Sequence, residues 1–152
     1  MSPLLLAVGL TLAAPPAPSA PADGPALFEK LKTLEGNWKA GDKDTARFVS
    51  LRVISNGTAV LEMVTGADRT KVLSAGVYHL DGGKLVLAHY GAGGAPRLEA
   101  KANGRLDFEG KGGSVSAVTL TPRGDDKLVH ETVTAAGKSS LELTREYVDT
   151  LK

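Results

Sequence analysis

The chain of 152 residues contains no cysteine. That excludes disulfide staples, thiolate metal sites, thiol nucleophiles and attachment of lipid to a cysteine. The fold must be held by packing and backbone pairing alone. Aromatic residues are scarce at 5%, which leaves few rings to sandwich a macrocycle, so haem is not expected, nor is any other cofactor. Neither sign of charge is in excess: 18 Lys and Arg stand against 17 Asp and Glu, a formal net charge of +1. No basic stripe is present, which argues against a nucleic-acid partner. Long apolar runs are also lacking. The run Leu4 to Ala14 (LLLAVGLTLAA) covers 11 residues, against the roughly 20 of a membrane-spanning helix.

What the N-terminus does have is the layout of an export signal. The short apolar run is followed by a proline-rich stretch from Pro15 to Pro25. Within it, Ala20-Pro21-Ala22 has the small-x-small pattern of a signal-peptidase site. The predicted division is residues 1–22 as signal peptide and 23–152 as one domain, exported to the periplasm or secreted, with no stable membrane span after processing. About 130 residues are enough for a single core.

Glycine is plentiful, at 18 residues, and its placement punctuates the mature chain. One short helix is predicted first, with Leu27, Leu31 and Leu34 on one stripe beside Phe28, Pro25 in its first turn and Gly36 as its stop. From Trp38 onward the hydrophobic period changes from that of a helix to that of a strand. Strands are predicted at Arg47–Ser55, Thr58–Thr65, Thr70–Leu80, Lys84–Tyr90, Arg97–Asn103, Arg105–Glu109, Val115–Thr121, Lys127–Thr134 and Ser139–Val148, with a short one at Asn37–Ala40. Asn56-Gly57, Gly82-Gly83, Asn103-Gly104, Gly112-Gly113 and Ala136-Gly137 supply turns between them. Nine or ten short strands on hairpin connections predict an all-β, antiparallel, up-and-down barrel, because closure removes the edges a long meander exposes. A β-sandwich is the alternative.

The hairpin around Gly82-Gly83 specifies its own register. A two-residue turn sets Asp81 against Lys84, Leu80 against Leu85, Tyr78 against Leu87 and Gly76 against His89. One face carries Ser74, Gly76, Tyr78, Leu80, Leu85, Leu87 and His89; the other carries Ala75, Val77, His79, Val86, Ala88 and Tyr90. Both are largely apolar. The first is taken as facing the lumen, because Gly76 opposite His89 leaves room for an imidazole or a ligand, and a slip of one residue would invert the choice.

Three segments carry a resemblance. Leu34-Glu35-Gly36-Asn37-Trp38 contains Gly-x-Trp. Val77-Tyr78-His79-Leu80-Asp81-Gly82-Gly83-Lys84-Leu85-Val86-Leu87-Ala88-His89-Tyr90 leads to Pro96-Arg97-Leu98, and Leu141-Glu142-Leu143-Thr144-Arg145 lies near the C-terminus. Together they resemble exported bacterial lipocalin-like (calycin-type) β-barrel domains of uncharacterised function, over roughly Leu27 to Arg145. The resemblance implies the fold, with Trp38 closing one barrel end against the short helix. The chain departs from that group between His89-Tyr90 and Pro96-Arg97. Gly91-Ala92-Gly93-Gly94-Ala95 stands where relatives carry a Cys and an Asn-Gln pair, so their polar atoms have no counterpart here.

The expected function is binding of a small hydrophobic or lipid-like ligand in the barrel lumen. Candidate ligand-binding residues are Tyr78, Leu87, His89, Arg97, His130 and Arg145. His89 and His130 are expected to face the lumen from distant strands, while His79 points the other way, so no metal site is expected. Arg97 follows a glycine-rich loop taken to edge the barrel mouth. Arg145 has two readings: pairing with a ligand carboxylate, or stacking on Trp38 while donating to backbone carbonyls. Carboxylates read as turn residues (Asp81, Asp125, Asp126) or outward strand positions (Glu131, Glu142). The alternatives are an envelope interaction module with a solidly packed barrel and an enzyme using His89 with Tyr78 or Tyr90 as an acid–base pair. No serine elbow or phosphate-cradling loop is present.

Overall fold

The computed structural model describes residues 24–147. The predicted export segment and cleavage site, and the end of the last predicted strand at Val148, lie outside them.

Helix α1 spans Gly24–Lys32 and buries Leu27, Phe28 and Leu31. Its nine residues are too few to be stable in isolation, so it depends on that buried stripe, which packs against the hairpin formed by β4 and β5. Ten strands follow: β1 Gly36–Ala40, β2 Arg47–Ile54, β3 Ala59–Thr65, β4 Val72–Asp81, β5 Lys84–Gly91, β6 Arg97–Ala100, β7 Leu106–Glu109, β8 Val115–Pro122, β9 Lys127–Thr134 and β10 Gly137–Glu146. All pair antiparallel with their sequence neighbours, and β1 pairs with β10 to complete a closed up-and-down barrel. The sandwich alternative is thereby excluded.

The register of the β4–β5 hairpin is the one its turn dictates, with Gly76 opposite His89 and Tyr78 opposite Leu87. Gly82 and Gly83 adopt φ of 56° and 82°, values an L side chain rarely tolerates. Tyr78, Leu85, Leu87 and His89 are buried inside, whereas Leu80, at the turn, stays exposed. Elsewhere the strands differ from expectation at their ends: β6 stops at Ala100 and β10 begins at Gly137, so the last hairpin turns on Ala135-Ala136.

The two barrel ends differ. At one, α1, the Ser55–Gly57 turn and the β4–β5, β6–β7 and β8–β9 connections gather. At the other, residues 41–46, 66–71, 92–96, 110–114 and 135–136 form the rim. Closure between β1 and β10 involves only Asn37, Trp38 and Lys39, opposite Glu146, Arg145 and Thr144. Toward the rim β10 continues, paired only with β9, and there it presents Lys138, Ser139 and Ser140 to solvent. A lysine and two serines are suited to such an edge, because they discourage pairing with a further strand.

Candidate functional site

The helix end of the lumen is filled. Trp38, Leu51, Tyr78, Leu87, Leu98, Phe108, Leu128 and Leu143 are all buried there. Tyr78 and Phe108 meet edge-on with centroids 5.2 Å apart. The seal itself is built on Trp38. Its indole Nε1 donates to the Leu34 carbonyl at 3.0 Å, and the Arg145 guanidinium stacks 4.3 Å from its ring. Arg145 Nε donates to the Asp125 carbonyl at 3.0 Å and its Nη1 to the Glu35 carbonyl at 2.6 Å. Gly36 beside it adopts φ of 151°, which an L side chain rarely takes, and a Cβ there would also lie 2.7 Å from Arg145 Nη1. Arg145 therefore ties the helix, the β8–β9 connection and β1 together. A groove of about 320 Å³ beside it, between Leu34 and Tyr147, opens outward rather than into the lumen.

Halfway up the barrel lies a polar cluster built on Glu62. This residue occupies the middle of β3, opposite Leu51 on one side and Gly76 on the other, and is 1% exposed. Tyr78 Oη donates to Glu62 Oε2 at 2.7 Å. From across the lumen, on β9, His130 Nε2 approaches Glu62 Oε1 at 3.3 Å. Gly76 lies against the cluster: a Cβ at that position would sit 2.8 Å from Leu87 Cδ1 and in ordinary contact, at 3.8 Å, with Glu62 Oε1. His89, on β5, is also buried and close enough to feel both charges, and its Nδ1 has no hydrogen-bond partner.

The electrostatics of the cluster follow from burial set against pairing. For Glu62, burial favours the neutral acid, but the His130 charge and hydrogen bond, the Tyr78 hydroxyl and His89 outweigh it and hold the carboxyl below its usual range. For His130, burial opposes protonation, and the Glu62 charge and hydrogen bond reverse that effect, so its pKa is raised. Tyr78 is pushed well up by burial and by the adjacent carboxylate. His89 is shifted down, by burial first, with attraction to Glu62 and repulsion from His130 opposing one another. These directions favour a carboxylate on Glu62 paired with a protonated His130, and disfavour protonation of His89 beside them.

These directions fix the pH dependence of stability. The Glu62 contribution is complete above its unfolded value of 4.5 and is lost as pH falls through the lower folded value. His89 adds a loss that starts below 6.5, because the folded protein resists its protonation. The His130 contribution is complete below 6.5 and disappears as pH rises through the higher folded value. Thermal unfolding followed by circular dichroism is expected to peak near neutral to mildly acidic pH. His130→Gln should flatten the alkaline side; an alkaline fall unchanged in that variant would contradict the pairing.

Above the cluster, at the rim, a cavity of about 440 Å³ opens to solvent. It is walled by Leu73, Ser74, His89, Gly91, Ala92, Ser114, Val115, Thr132, Thr134 and the Ala135-Ala136 turn. Of the sequence-derived candidates, only His89 lines it. Tyr78, Leu87 and His130 are in the lumen but lie in the packed layers beneath. Arg145 is at the opposite end. Arg97 is on the outer surface, with its guanidinium 2.6 Å from the Asp81 carboxylate, directed away from the rim. Tyr90 is likewise outside and half exposed, and the Tyr78 hydroxyl is committed to Glu62, so neither tyrosine is hydrogen-bonded to His89. Among the described residues, no three His, Asp or Glu side chains converge closely enough to hold a metal ion.

Glu62 was missed by sequence reasoning. Its signal is slight: in Ala59-Val60-Leu61-Glu62-Met63-Val64-Thr65 it shares a face with Val60 and Val64, but Leu61 and Met63 make the opposite face equally apolar. Periodicity alone does not choose between them.

Fold and site define the class: a closed, antiparallel, ten-stranded barrel, plugged by a helix at one end and open into a cavity at the other, consistent with the calycin-like barrels. Comparison of the chain with protein-family models, curated proteins and solved structures gave no match.

Proposed function

We propose that this protein is an exported, lipocalin-like binder that holds a small, largely hydrophobic ligand in the rim of its barrel. The observation that carries the reading is the 440 Å³ cavity above a filled lower lumen, within the roughly 300–1,000 Å³ range of small-molecule sites. Its walls mix methyl and methylene groups with hydroxyls and one imidazole, the composition of a site that buries an apolar body and orients it by a few polar contacts. The filled layers below limit the depth, so the ligand is short rather than a long acyl chain threading the barrel. Export rests on the short apolar N-terminal run and the Ala20-Pro21-Ala22 motif.

Native mass spectrometry of the protein purified from its own host tests both parts. The expected result is a chain beginning at Asp23 that carries a small co-purifying mass. Thr132→Phe, which puts a ring into the cavity, is expected to eliminate that mass and to weaken binding of the neutral dye Nile red by at least about tenfold, a loss of about 1.4 kcal/mol. Unchanged dye binding in Thr132→Phe would place the ligand elsewhere.

One observation favours a second reading, a protein that works through its outer surface. Met63, Ala75 and Tyr90 are cross-strand neighbours on the outside of β3, β4 and β5, with Met63 36% and Tyr90 49% exposed. A protein that binds no small molecule would leave this apolar row as the site of interest.

A further inference from the structure

The charge balance of the rim cavity narrows the chemistry of what it accepts. No Lys, Arg, Asp or Glu lines it, and His89 is its one titratable wall residue. Beneath His89 the charged groups face one another. Glu62 from β3 is held by His130 from β9 and by the Tyr78 hydroxyl from β4, so this layer offers a ligand neither a free cation nor a free anion. A buried charge needs a partner to offset its lost hydration. A carboxylate or phosphate end would find none here, and would sit above Glu62. An ammonium end would meet a carboxylate whose oxygens are already engaged.

What the wall does offer is hydrogen bonding. His89 is 6% exposed and its Nδ1 is unpartnered, and a buried polar atom left unpaired in a native fold calls for an explanation. The Cε1–Nδ1 edge of the ring is turned toward Gly91, which is itself part of the cavity wall. A Cβ built on Gly91 would lie 3.3 Å from His89 Cε1 and 3.9 Å from Nδ1. Nδ1 itself is enclosed, and the missing side chain at Gly91 leaves space between the ring and the rim into which the imidazole can turn to reach a ligand. Ser74, Ser114 and Thr132 add hydroxyls around it, each able both to donate and to accept, whereas the Thr134 hydroxyl is engaged within the β9–β10 turn, donating to the Gly137 carbonyl and accepting from the Ala136 N–H.

Resting on the ligand-binding reading above, we propose that the cavity selects uncharged ligands with one hydrogen-bonding group, an alcohol, amide or carbonyl, and that this group pairs with the His89 imidazole. Rotation about the Cβ–Cγ bond is a broad two-fold torsion, so either ring nitrogen can be brought to the ligand. Gly91 is the residue that keeps the approach open.

The test uses Nile red bound to the full mature protein at about pH 8, where carboxylic acids are ionised and primary amines are protonated. It is displaced by three compounds of equal chain length: n-octanol, octanoate and octylamine. Octanol is expected to displace the dye at concentrations at least about tenfold lower than either charged compound. In His89→Phe octanol, corrected for that variant's own affinity for the dye, weakens by about tenfold, the scale of one lost hydrogen bond. Gly91→Ala, which keeps the imidazole but fills the space into which it turns, weakens octanol in the same direction. A long-range proton–nitrogen NMR spectrum of the dye-free protein reads the contact directly, as a shift of a His89 ring nitrogen on saturation with octanol. Octanoate or octylamine competing as well as octanol overturns the proposal. So does octanol binding that is unchanged in both variants, or a His89 ring that does not respond. Failure of Nile red and of all three compounds to bind removes the ligand reading itself, and this proposal with it.

Discussion

Glu62→Leu is expected to destabilise the protein by about 3–5 kcal/mol, the cost of removing one member of a buried ion pair, and to lower Tm by about 10–20 °C. The loss comes less from the missing attraction than from what remains. His130 would be left 5% exposed without its acceptor, and the Tyr78 hydroxyl, fully buried, would lose the oxygen it reaches at 2.7 Å. That account makes a second, sharper prediction from the same site. If the three polar groups are retained as a unit, replacing them together with apolar groups of similar size should restore most of the stability. Glu62→Leu, His130→Leu and Tyr78→Phe in one chain are expected to come within about 1.5 kcal/mol of the parent, because no orphaned group is left behind. Urea unfolding of the single, double and triple variants measures this as a thermodynamic cycle. A triple variant no better than Glu62→Leu alone would show that the cost arises from packing, not from polar pairing.

Trp38→Ala is expected to cost about 3–5 kcal/mol, at the upper end for core truncations. The side chain is 1% exposed and lies at the junction of three elements. It bonds the segment after α1 through the Leu34 carbonyl, belongs to one of the three residue pairs that close β1 on β10, and carries the stacked Arg145. Truncation opens a cavity and also leaves the guanidinium without its aromatic platform. Trp38→Phe keeps most of the apolar volume and loses the indole bond, so it is expected to cost less than half as much. Far-UV circular dichroism is the proper probe, since Trp38 is the chain's single tryptophan. Equal losses in the two variants would assign the effect to the hydrogen bond and not to the volume.

The two sites differ in how legible they were. Trp38 belongs to a local pattern, a short helix and then Gly36-Asn37-Trp38, although the helix already ends at Lys32 and Gly36 opens β1; Arg145, whose Nη1 reaches Glu35 110 positions away, was placed by its alternation with Leu141 and Leu143 on the last strand. Of the two readings open for Arg145, the structure shows the stacked one, with carbonyls on its donors. The Gly82-Gly83 hairpin was legible down to the residue pair, because a two-residue turn leaves no freedom in register. From that register, Gly76 opposite His89 followed directly. Arg97 was placed correctly at the end of a rim loop, but its side chain lies outside, beside Asp81. The strand pleat, not the loop before it, decides where a side chain points.

Glu62 shows the opposite case. Nothing within seven residues of β3 distinguishes an inward acid from an outward one, since both faces are apolar. Its place is set by residues far along the chain: Tyr78 16 positions away and His130 68 positions away. Those partners meet only when β3, β4 and β9 face one lumen. The rim cavity has the same origin, as its walls come from β4, β5, β8, β9 and the β9–β10 turn, and no one of these segments encodes a volume.

By itself, then, the order of residues determined the strand pattern, the turns, the single capping helix and the barrel that such a meander must form. These depend on interactions between residues a few positions apart, where side-chain period and backbone sterics act directly. Only the tertiary structure decided which face of β3 turned inward, that a carboxylate and an imidazole would share the core, and that the lumen would be filled at one end and open at the other. Those outcomes depend on the summed shapes and charges of side chains brought together across the closed sheet, and a local pattern carries no record of what lies opposite.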